Sequence, residues 1–135
     1  MTGGGATGRE SALYALVVFV PVGYEERLLE AVFAAGAGRL GDYDRCAFVS
    51  RGEGRFRPLR GADPAIGTVG DDERVAETRL ECVVAEEAAD AVLAAVRSAH
   101  PYEEPAIYLH RLDDRCLRRP DTPDRDYVDA DAQER

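Results

Sequence analysis

The sequence predicts one α+β domain whose elements follow in the order strand, helix, strand, strand, helix, strand. Three observations support this fold class. The run from Ala12 to Val20 is almost continuously apolar and rich in β-branched residues, which is typical of a central strand. Residues 25–35 and 86–99 repeat apolar side chains at helical spacing. Residues 100–105, His-Pro-Tyr-Glu-Glu-Pro, mark a rigid corner after the second of these helices.

The first helix is predicted at residues 25–35, where Leu28, Leu29, Val32 and Phe33 share one face. Acidic residues in its first turn suit the helix dipole. The glycine-rich segment that follows predicts its end, since glycine adopts the left-handed cap conformation at the least cost.

A hairpin and a long loop are predicted next. Residues 43–51 alternate in the manner of a strand, Gly52-Glu53-Gly54 has the composition of a turn, and residues 55–57 alternate again. Residues 58–74 are punctuated by proline and glycine and predict a long ordered loop after this central hairpin. A loop of this length inside a compact domain is functional or takes part in assembly.

The second half repeats the pattern of the first. Residues 75–84 predict a strand, residues 86–99 an alanine-rich helix, and residues 106–110 a last strand. Because a proline disfavours helical angles at the residue before it, Pro101 is expected to end the helix near His100.

This order of elements is that of the ferredoxin-like fold, βαββαβ, with an antiparallel sheet. Right-handed crossovers place both helices on one face and the first and third main strands in the middle. The first strand is apolar on both sides, so we expect another subunit to cover the opposite face. The sequence therefore predicts a homo-oligomer, a dimer or a trimer.

The domain is predicted at residues 12–112, between a flexible lead at 1–11 and a flexible acidic tail at 113–135. The lead lacks the apolar core of a signal peptide, and no apolar run is long enough to span a bilayer. The net charge of −9 argues against nucleic-acid binding, which rests on neutralising phosphates. A cytoplasmic protein without membrane or nucleic-acid partners is the resulting expectation.

Three cysteines occur without the paired spacing of a zinc site: Cys46, Cys82 and Cys116. Cys82 alternates with apolar residues and is predicted in the core. Cys116 is expected to be exposed in the tail, and Cys46 is the one cysteine near other residues with chemical potential.

Five separate motifs within residues 14–112 suggest a family: Val18-Val-Phe-Val-Pro21, Gly36-Ala-Gly-Arg-Leu-Gly-Asp-Tyr-Asp-Arg-Cys46, Phe56-Arg-Pro-Leu59, Ile66-Gly67 and His100-Pro-Tyr-Glu-Glu-Pro105. Together they resemble the inserted domain of Nif-three-like proteins, also called dinuclear metal centre hexameric or GTP cyclohydrolase 1 type 2-like proteins. That inserted domain is similar to the trimeric PII and CutA proteins. The resemblance thus implies a stand-alone PII/CutA-like domain.

Two departures from the family limit what the resemblance implies. The ligands of the dinuclear metal centre belong to the parts that flank the inserted domain, so no activity is carried over. Arg45 stands where family members often have histidine, which puts a metal site using that position in doubt. The chain also has no tryptophan, and so lacks the Tyr-Arg-Trp segment typical of CutA proteins.

The leading hypothesis for function is a non-catalytic module of PII/CutA-like type that binds a small ligand or a partner protein, or serves assembly. In related folds, ligands lie in clefts between subunits beside the long loop. That likeness implies a site built from the following residues: Tyr43, Asp44, Cys46, Arg55, Arg57, His100, Tyr102 and Glu103.

Two alternatives remain open at this point. One is a divalent metal ion held by His100 with Glu103, Glu104 or Cys46, as in a cation-tolerance protein, because imidazole, carboxylate and thiolate are ligands for zinc or copper. The other is a small enzyme with Cys46 as nucleophile and His100 as base. Nothing in the spacing of these residues demands catalysis, and a hydrogen-bonded corner histidine is the simpler interpretation of His100.

Overall fold

A computed structural model describes residues 12–116 of the 135-residue chain. The strands and helices are, in chain order, β1 (Leu13–Pro21), α1 (Glu25–Ala34), β2 (Phe48–Phe56), β3 (Glu73–Ala85), α2 (Ala89–Ala99) and β4 (Ile107–Arg111). Short 3-10 helices at Glu86–Ala88 and Asp114–Cys116 precede α2 and follow β4. The predictions for the lead at 1–11 and for the tail beyond 116 lie outside the described residues.

The four strands form one antiparallel sheet in the order β2-β3-β1-β4. The ferredoxin-like prediction is confirmed, and the first and third strands are central as expected. Strand β3 is longer than β1, so its first part, Glu73–Ala76, pairs with β2 beyond the end of β1 at Pro21. The β2-β3 hairpin therefore extends past the body of the sheet.

The core lies between one sheet face and the two helices. Alternate residues of β1 and β3 point into it, together with the apolar stripe of each helix. Its buried members include the following: Leu16, Val18, Val20, Leu28, Val32, Leu80, Cys82, Val84, Val92 and Val96. Cys82 is a core residue as predicted, and its burial raises the pKa of its thiol to about 11. A thiol in this state is unreactive at neutral pH.

The start of α1 is joined to the sheet by one carboxylate. Glu25 accepts hydrogen bonds from the Thr78 hydroxyl at 2.7 Å and from the Gly23 backbone N–H at 2.8 Å. These bonds, the Thr78 bond first, lower the pKa of Glu25. Because Thr78 is fully buried on the helix side of β3, the bond fixes the position of α1 over the sheet.

The opposite face of the sheet, here called the open face, carries no helix among the described residues. The strand register places Val17, Phe19, Phe48 and Tyr108 on it, with the Arg79–Glu81 ion pair between them. Val17 is only 2% exposed, whereas Phe48 is 64% and Tyr108 50% exposed. The predicted two-sided burial of β1 thus holds at its centre, and large apolar surface remains around it.

The predicted turn at Gly52-Glu53-Gly54 is wrong. Strand β2 runs without interruption through these residues and pairs with β3 along its whole length. A glycine is needed at position 54 for another reason. A Cβ there would overlap the carboxyl group of Glu77 on the neighbouring strand. Gly54 therefore makes room within a strand, which is the other common use of a strand glycine. The hairpin connection is the loop at residues 57–72.

The second helix differs from prediction in its first turn. Residues 86–88 form a 3-10 helix, and α2 begins at Ala89. Its end agrees with prediction, because His100 is extended directly before Pro101. Neither helix among residues 12–116 has the length and apolar character needed to cross a lipid bilayer.

Replacing Gly54 by alanine is expected to lower the free energy of unfolding by about 1–3 kcal/mol, because the added methyl group must displace the buried Glu77 carboxyl. Gly52 is the matched control, since a Cβ there meets no atom within 4 Å. Urea denaturation of both variants measures the difference. Equal stability of Gly54→Ala and Gly52→Ala would show that Glu77 is free to move.

Candidate functional site

A pocket of about 300 Å³ lies where the extended hairpin, the loop at 57–72 and the corner at residues 100–106 meet; we call it the corner pocket. Its walls are mainly apolar. They include Phe19 of β1, Phe56 of β2, Tyr102 and Ala106 of the corner, and Pro58 and Ile66 of the loop. Glu77 of β3 contributes a carboxyl group to the same cavity.

The corner begins with the buried side chain of His100. Pro101 holds His100 in an extended conformation with φ −78° and ψ 136°. The backbone N–H of His100 still donates to the carbonyl of Val96 at 2.8 Å. The ring therefore leaves the end of α2 in a fixed direction, toward β1. The residue is 7% exposed.

Backbone groups occupy both ring nitrogens of His100. The Tyr102 N–H donates to Nδ1 at 3.1 Å, and Nε2 lies 2.7 Å from the carbonyl oxygen of Phe19. Because a backbone N–H can only donate, Nδ1 is the acceptor and the ring proton is on Nε2. Burial lowers the pKa of His100 below its ordinary value, against the smaller opposing effect of the Phe19 hydrogen bond. The ring is neutral at pH 7 and joins α2 to β1.

Tyr102 connects His100 to the extended β2-β3 hairpin. Its hydroxyl donates a hydrogen bond of 2.9 Å to Glu77 Oε2, and its ring lies 6.0 Å from that of Phe56. Burial raises the pKa of the Tyr102 hydroxyl, and the hydrogen bond and charge of Glu77 raise it further. The hydroxyl therefore keeps its proton and acts as a permanent donor to Glu77.

Glu77 is the one carboxyl group of the pocket that is buried, with 8% exposure. No ion pair among residues 12–116 includes it. The other residues around the pocket that are charged at neutral pH are Arg55, Glu103 and Glu104, all exposed. The pocket thus has three acidic residues and one basic residue.

The loop at 57–72 is attached to the corner and closed on itself. Glu103 Oε1 accepts the Asp63 N–H at 2.8 Å, which fixes the loop to the corner. Within the loop, the Gly70 N–H donates to the Pro58 carbonyl at 2.8 Å. The long loop predicted from the sequence is ordered by these bonds and forms one wall of the pocket.

The predicted site residues fall into two groups that the structure separates. Arg55, Tyr102 and Glu103 line the corner pocket, and His100 lies directly behind Tyr102. Arg57 stands beside this group, exposed at the start of the loop.

The second group is Tyr43, Asp44 and Cys46, between α1 and β2. Asp44 lines a small polar cleft with Glu30 and Arg45. Arg45 has φ 57° and pairs with the Glu30 carboxylate. Tyr43 is exposed, and Cys46 is half-buried with its thiol 3.7 Å from the carbonyl of Asp44.

These two groups lie toward opposite ends of the sheet. The Cys46 N–H binds the carbonyl of Gly38, whose own N–H binds Val83, the partner of Ala15 in β1. His100 instead contacts Phe19, four residues further along β1. Four residues of a strand separate Ala15 from Phe19 by roughly 13 Å. Within one chain these eight residues do not form a single site, and Cys46 lies well away from His100. The predicted site in a cleft between subunits and the pairing of Cys46 with His100 stay predictions.

The proposed metal ligands do not fit a metal ion in their present arrangement. Both nitrogens of His100 are engaged, and one oxygen of Glu103 holds the loop. Among residues 12–116 no group of three or more histidine, cysteine or acidic side chains converges on a common point. Metal binding by His100, Glu103 and Glu104 stays a prediction, and it requires the corner to rearrange.

Sequence reasoning missed the buried carboxyl of Glu77 and the aromatic walls Phe19 and Phe56. Glu77 alternates with Arg79 and Glu81 along β3, which is the pattern of a solvent-facing strand side. The signal that was available is Gly54, because a glycine inside a strand often marks a close approach.

The fold and the ordered corner define the class of domain. The chain superposes on the periplasmic divalent cation tolerance protein CutA from Archaeoglobus fulgidus with a TM-score of 0.56 at 16% identity, over 75% of this chain and 84% of that one. At this identity the likeness concerns the fold. The described residues form a PII/CutA-like domain.

Sequence similarity identifies the particular relatives. The chain is 51% identical over 96 residues to the GTP cyclohydrolase 1 type 2 homolog of Mycobacterium tuberculosis, covering 71% of this chain and 25% of that protein. A Bacillus cereus protein related to NIF3 superposes with a TM-score of 0.69 at 38% identity, over 78% of this chain and 27% of that one. No model of a known protein family matches the chain. The domain is thus homologous to one part of the Nif-three-like proteins, and the chain spans about a quarter of the length of the curated relatives it matches.

The state of His100 predicts a pH dependence of stability. Because its pKa is lowered from 6.5 on folding, the unfolded chain binds the proton more readily. The stabilising contribution of the neutral ring is complete above pH 6.5 and is lost progressively as the pH falls toward the pKa of the folded state.

Urea midpoints measured between pH 8 and about pH 5 test this dependence. Replacing His100 by glutamine is expected to remove this part of the dependence and to cost about 1–3 kcal/mol through lost hydrogen bonds. The control is His110→Gln, at an exposed position on β4. The assignment is wrong if His110→Gln flattens the profile and His100→Gln does not.

Proposed function

We propose that this domain is a non-catalytic binding module whose corner pocket takes a small organic ligand. The observation that carries the proposal is the pocket itself, an ordered and mainly apolar cavity with few polar groups. Its volume of about 300 Å³ lies at the lower end of the range for ligand sites. The hydrogen bonds of His100, Tyr102 and Glu103 hold its walls before any ligand arrives.

The composition of the pocket favours binding over catalysis. No cysteine, serine, threonine or histidine lies among the described residues that line it. Tyr102 keeps its proton because its pKa is raised, and Glu103 is engaged with the loop. The remaining groups are suited to recognise and orient a ligand.

Blocking the pocket is expected to abolish ligand binding. Ala65 lies on the pocket wall and is exposed, so a tryptophan there can enter the cavity without disturbing the core. Ala47 is an exposed alanine outside the pocket, and Ala47→Trp is the matched control.

A fragment library screened by ¹H–¹⁵N correlation spectra provides the measurement. Shifts confined to residues around the pocket, lost in Ala65→Trp and kept in Ala47→Trp, are the expected result. The proposal fails if the fragments that bind shift other surfaces or are indifferent to the tryptophan at position 65.

A second proposal concerns assembly: we infer that another copy of the chain covers the open face. Phe48 and Tyr108 are large and exposed there, and the rings of Phe19 and Tyr108 pack edge to face at 5.7 Å. Large exposed apolar side chains grouped on one face of a sheet are typical of a subunit contact. This supports the homo-oligomer predicted from the apolar character of β1.

Replacing Tyr108 by glutamate is expected to dissociate the oligomer, because a carboxylate would be buried without a partner at the contact. Native mass spectrometry gives the subunit count of the wild type and the variant. Leu40→Glu is the control, since Leu40 is 46% exposed and lies in the turn after α1, outside the four strands of the sheet. A wild type that is monomeric at micromolar concentration would refute the proposal.

A further inference from the structure

The corner pocket contains one buried acidic side chain, Glu77, and this restricts the ligands that the pocket can take. Glu77 is 8% exposed, lines the cavity, and lies against the backbone of Gly54. Its one hydrogen bond among the described side chains comes from the neutral hydroxyl of Tyr102. A buried carboxylate is costly unless a positive charge or several donors compensate it.

The part of the chain that the structure describes supplies no such positive charge to Glu77. No arginine or histidine nitrogen within residues 12–116 forms an ion pair with it. Arg55 is the one basic residue among the described residues that line the pocket, and it is exposed and forms no ion pair with Glu77. Exposed in this way, its charge is screened by water.

The walls around Glu77 add a second preference. Phe19, Phe56 and Tyr102 place three aromatic rings on the cavity. Aromatic faces attract organic cations, and the attraction grows when water is excluded. Apolar rings beside one buried acid suit a ligand with a positive end and an apolar body.

We propose that the corner pocket binds a small organic cation, a protonated amine whose apolar body contacts the aromatic walls and whose charged end binds Glu77. This deepens the proposed function and rests on it. Tyr102 acts as a positioning residue, because its hydroxyl binds Oε2 of Glu77 while Oε1 lies against Gly54, so the carboxyl group is held in one orientation. The positive charge of the ligand would stabilise the buried carboxylate of Glu77.

Three probes of matched shape test the charge preference in the wild-type protein: phenethylamine, which is protonated at pH 7, 2-phenylethanol and phenylacetate. Titrations followed by ¹H–¹⁵N correlation spectra report both affinity and location. The protonated amine is expected to bind at least about tenfold more tightly than the alcohol, and phenylacetate more weakly still. Equal or tighter binding of phenylacetate at the pocket would overturn the cation proposal and leave the pocket as a ligand site.

Glu77→Gln isolates the role of the carboxylate, because glutamine keeps the size and still accepts the Tyr102 hydrogen bond. Affinity for the amine is expected to fall about tenfold, while affinity for the alcohol changes by less than about twofold. The control Glu53→Gln removes an exposed carboxylate from the same hairpin and is expected to change neither. Unchanged amine binding in Glu77→Gln overturns the assignment of Glu77.

Failure of all three probes to shift the pocket residues would count against the proposed ligand site as well as against its charge preference. Circular dichroism would check that Glu77→Gln folds. Should that variant not fold, the order of affinities of the three probes for the wild type still decides the proposal.

Discussion

The corner of this domain depends on one buried imidazole held between two backbone groups. His100 donates from Nε2 to the carbonyl of Phe19 and accepts the N–H of Tyr102 at Nδ1. A single neutral ring thereby connects the end of α2, the middle of the sheet and the first residues of the return to β4. Protonation would place a second N–H against the Tyr102 donor, so the arrangement requires the neutral form that burial favours.

The corner pocket follows from this connection by a short chain of contacts. Tyr102 is fixed by His100, and its hydroxyl binds Glu77 on the extended hairpin. Glu77 in turn occupies the space that a side chain at position 54 would fill. The absence of a side chain at position 54 and the position of the Glu77 carboxyl group therefore depend on each other, and enlarging either residue would alter the cavity wall.

Most of the fold could be predicted because its signals are local. The apolar run of β1, the helical spacing of α1 and α2, and the prolines of the corner each act over a few residues, and together they define the βαββαβ order. The error at Gly52–Gly54 arose because glycine can either form a turn or make room for a neighbouring side chain inside a strand. Only the packing of Glu77, which is distant in sequence, shows that it makes room here and does not turn the chain.

The candidate site could be predicted only in part, for a similar reason. Tyr102 and Glu103 are adjacent in a rigid motif, so local sequence identifies them. The burial of Glu77 depends on a loop and a corner that fold over it from elsewhere in the chain. The resemblance also united Tyr43, Asp44 and Cys46 with the corner, whereas one chain places them toward the other end of the sheet.

The corner pocket and the open face are not independent surfaces, because Phe19 belongs to both. Its side chain lines the pocket, and its ring contacts Tyr108 at 5.7 Å on the open face. Its carbonyl accepts the His100 hydrogen bond, so its backbone cannot shift without disturbing the corner. A subunit packed on the open face would restrict the Phe19 and Tyr108 rings and so define one wall of the cavity. Assembly and ligand binding would then share the energy of ordering the same side chains, which is sufficient to couple the two processes without a change of fold.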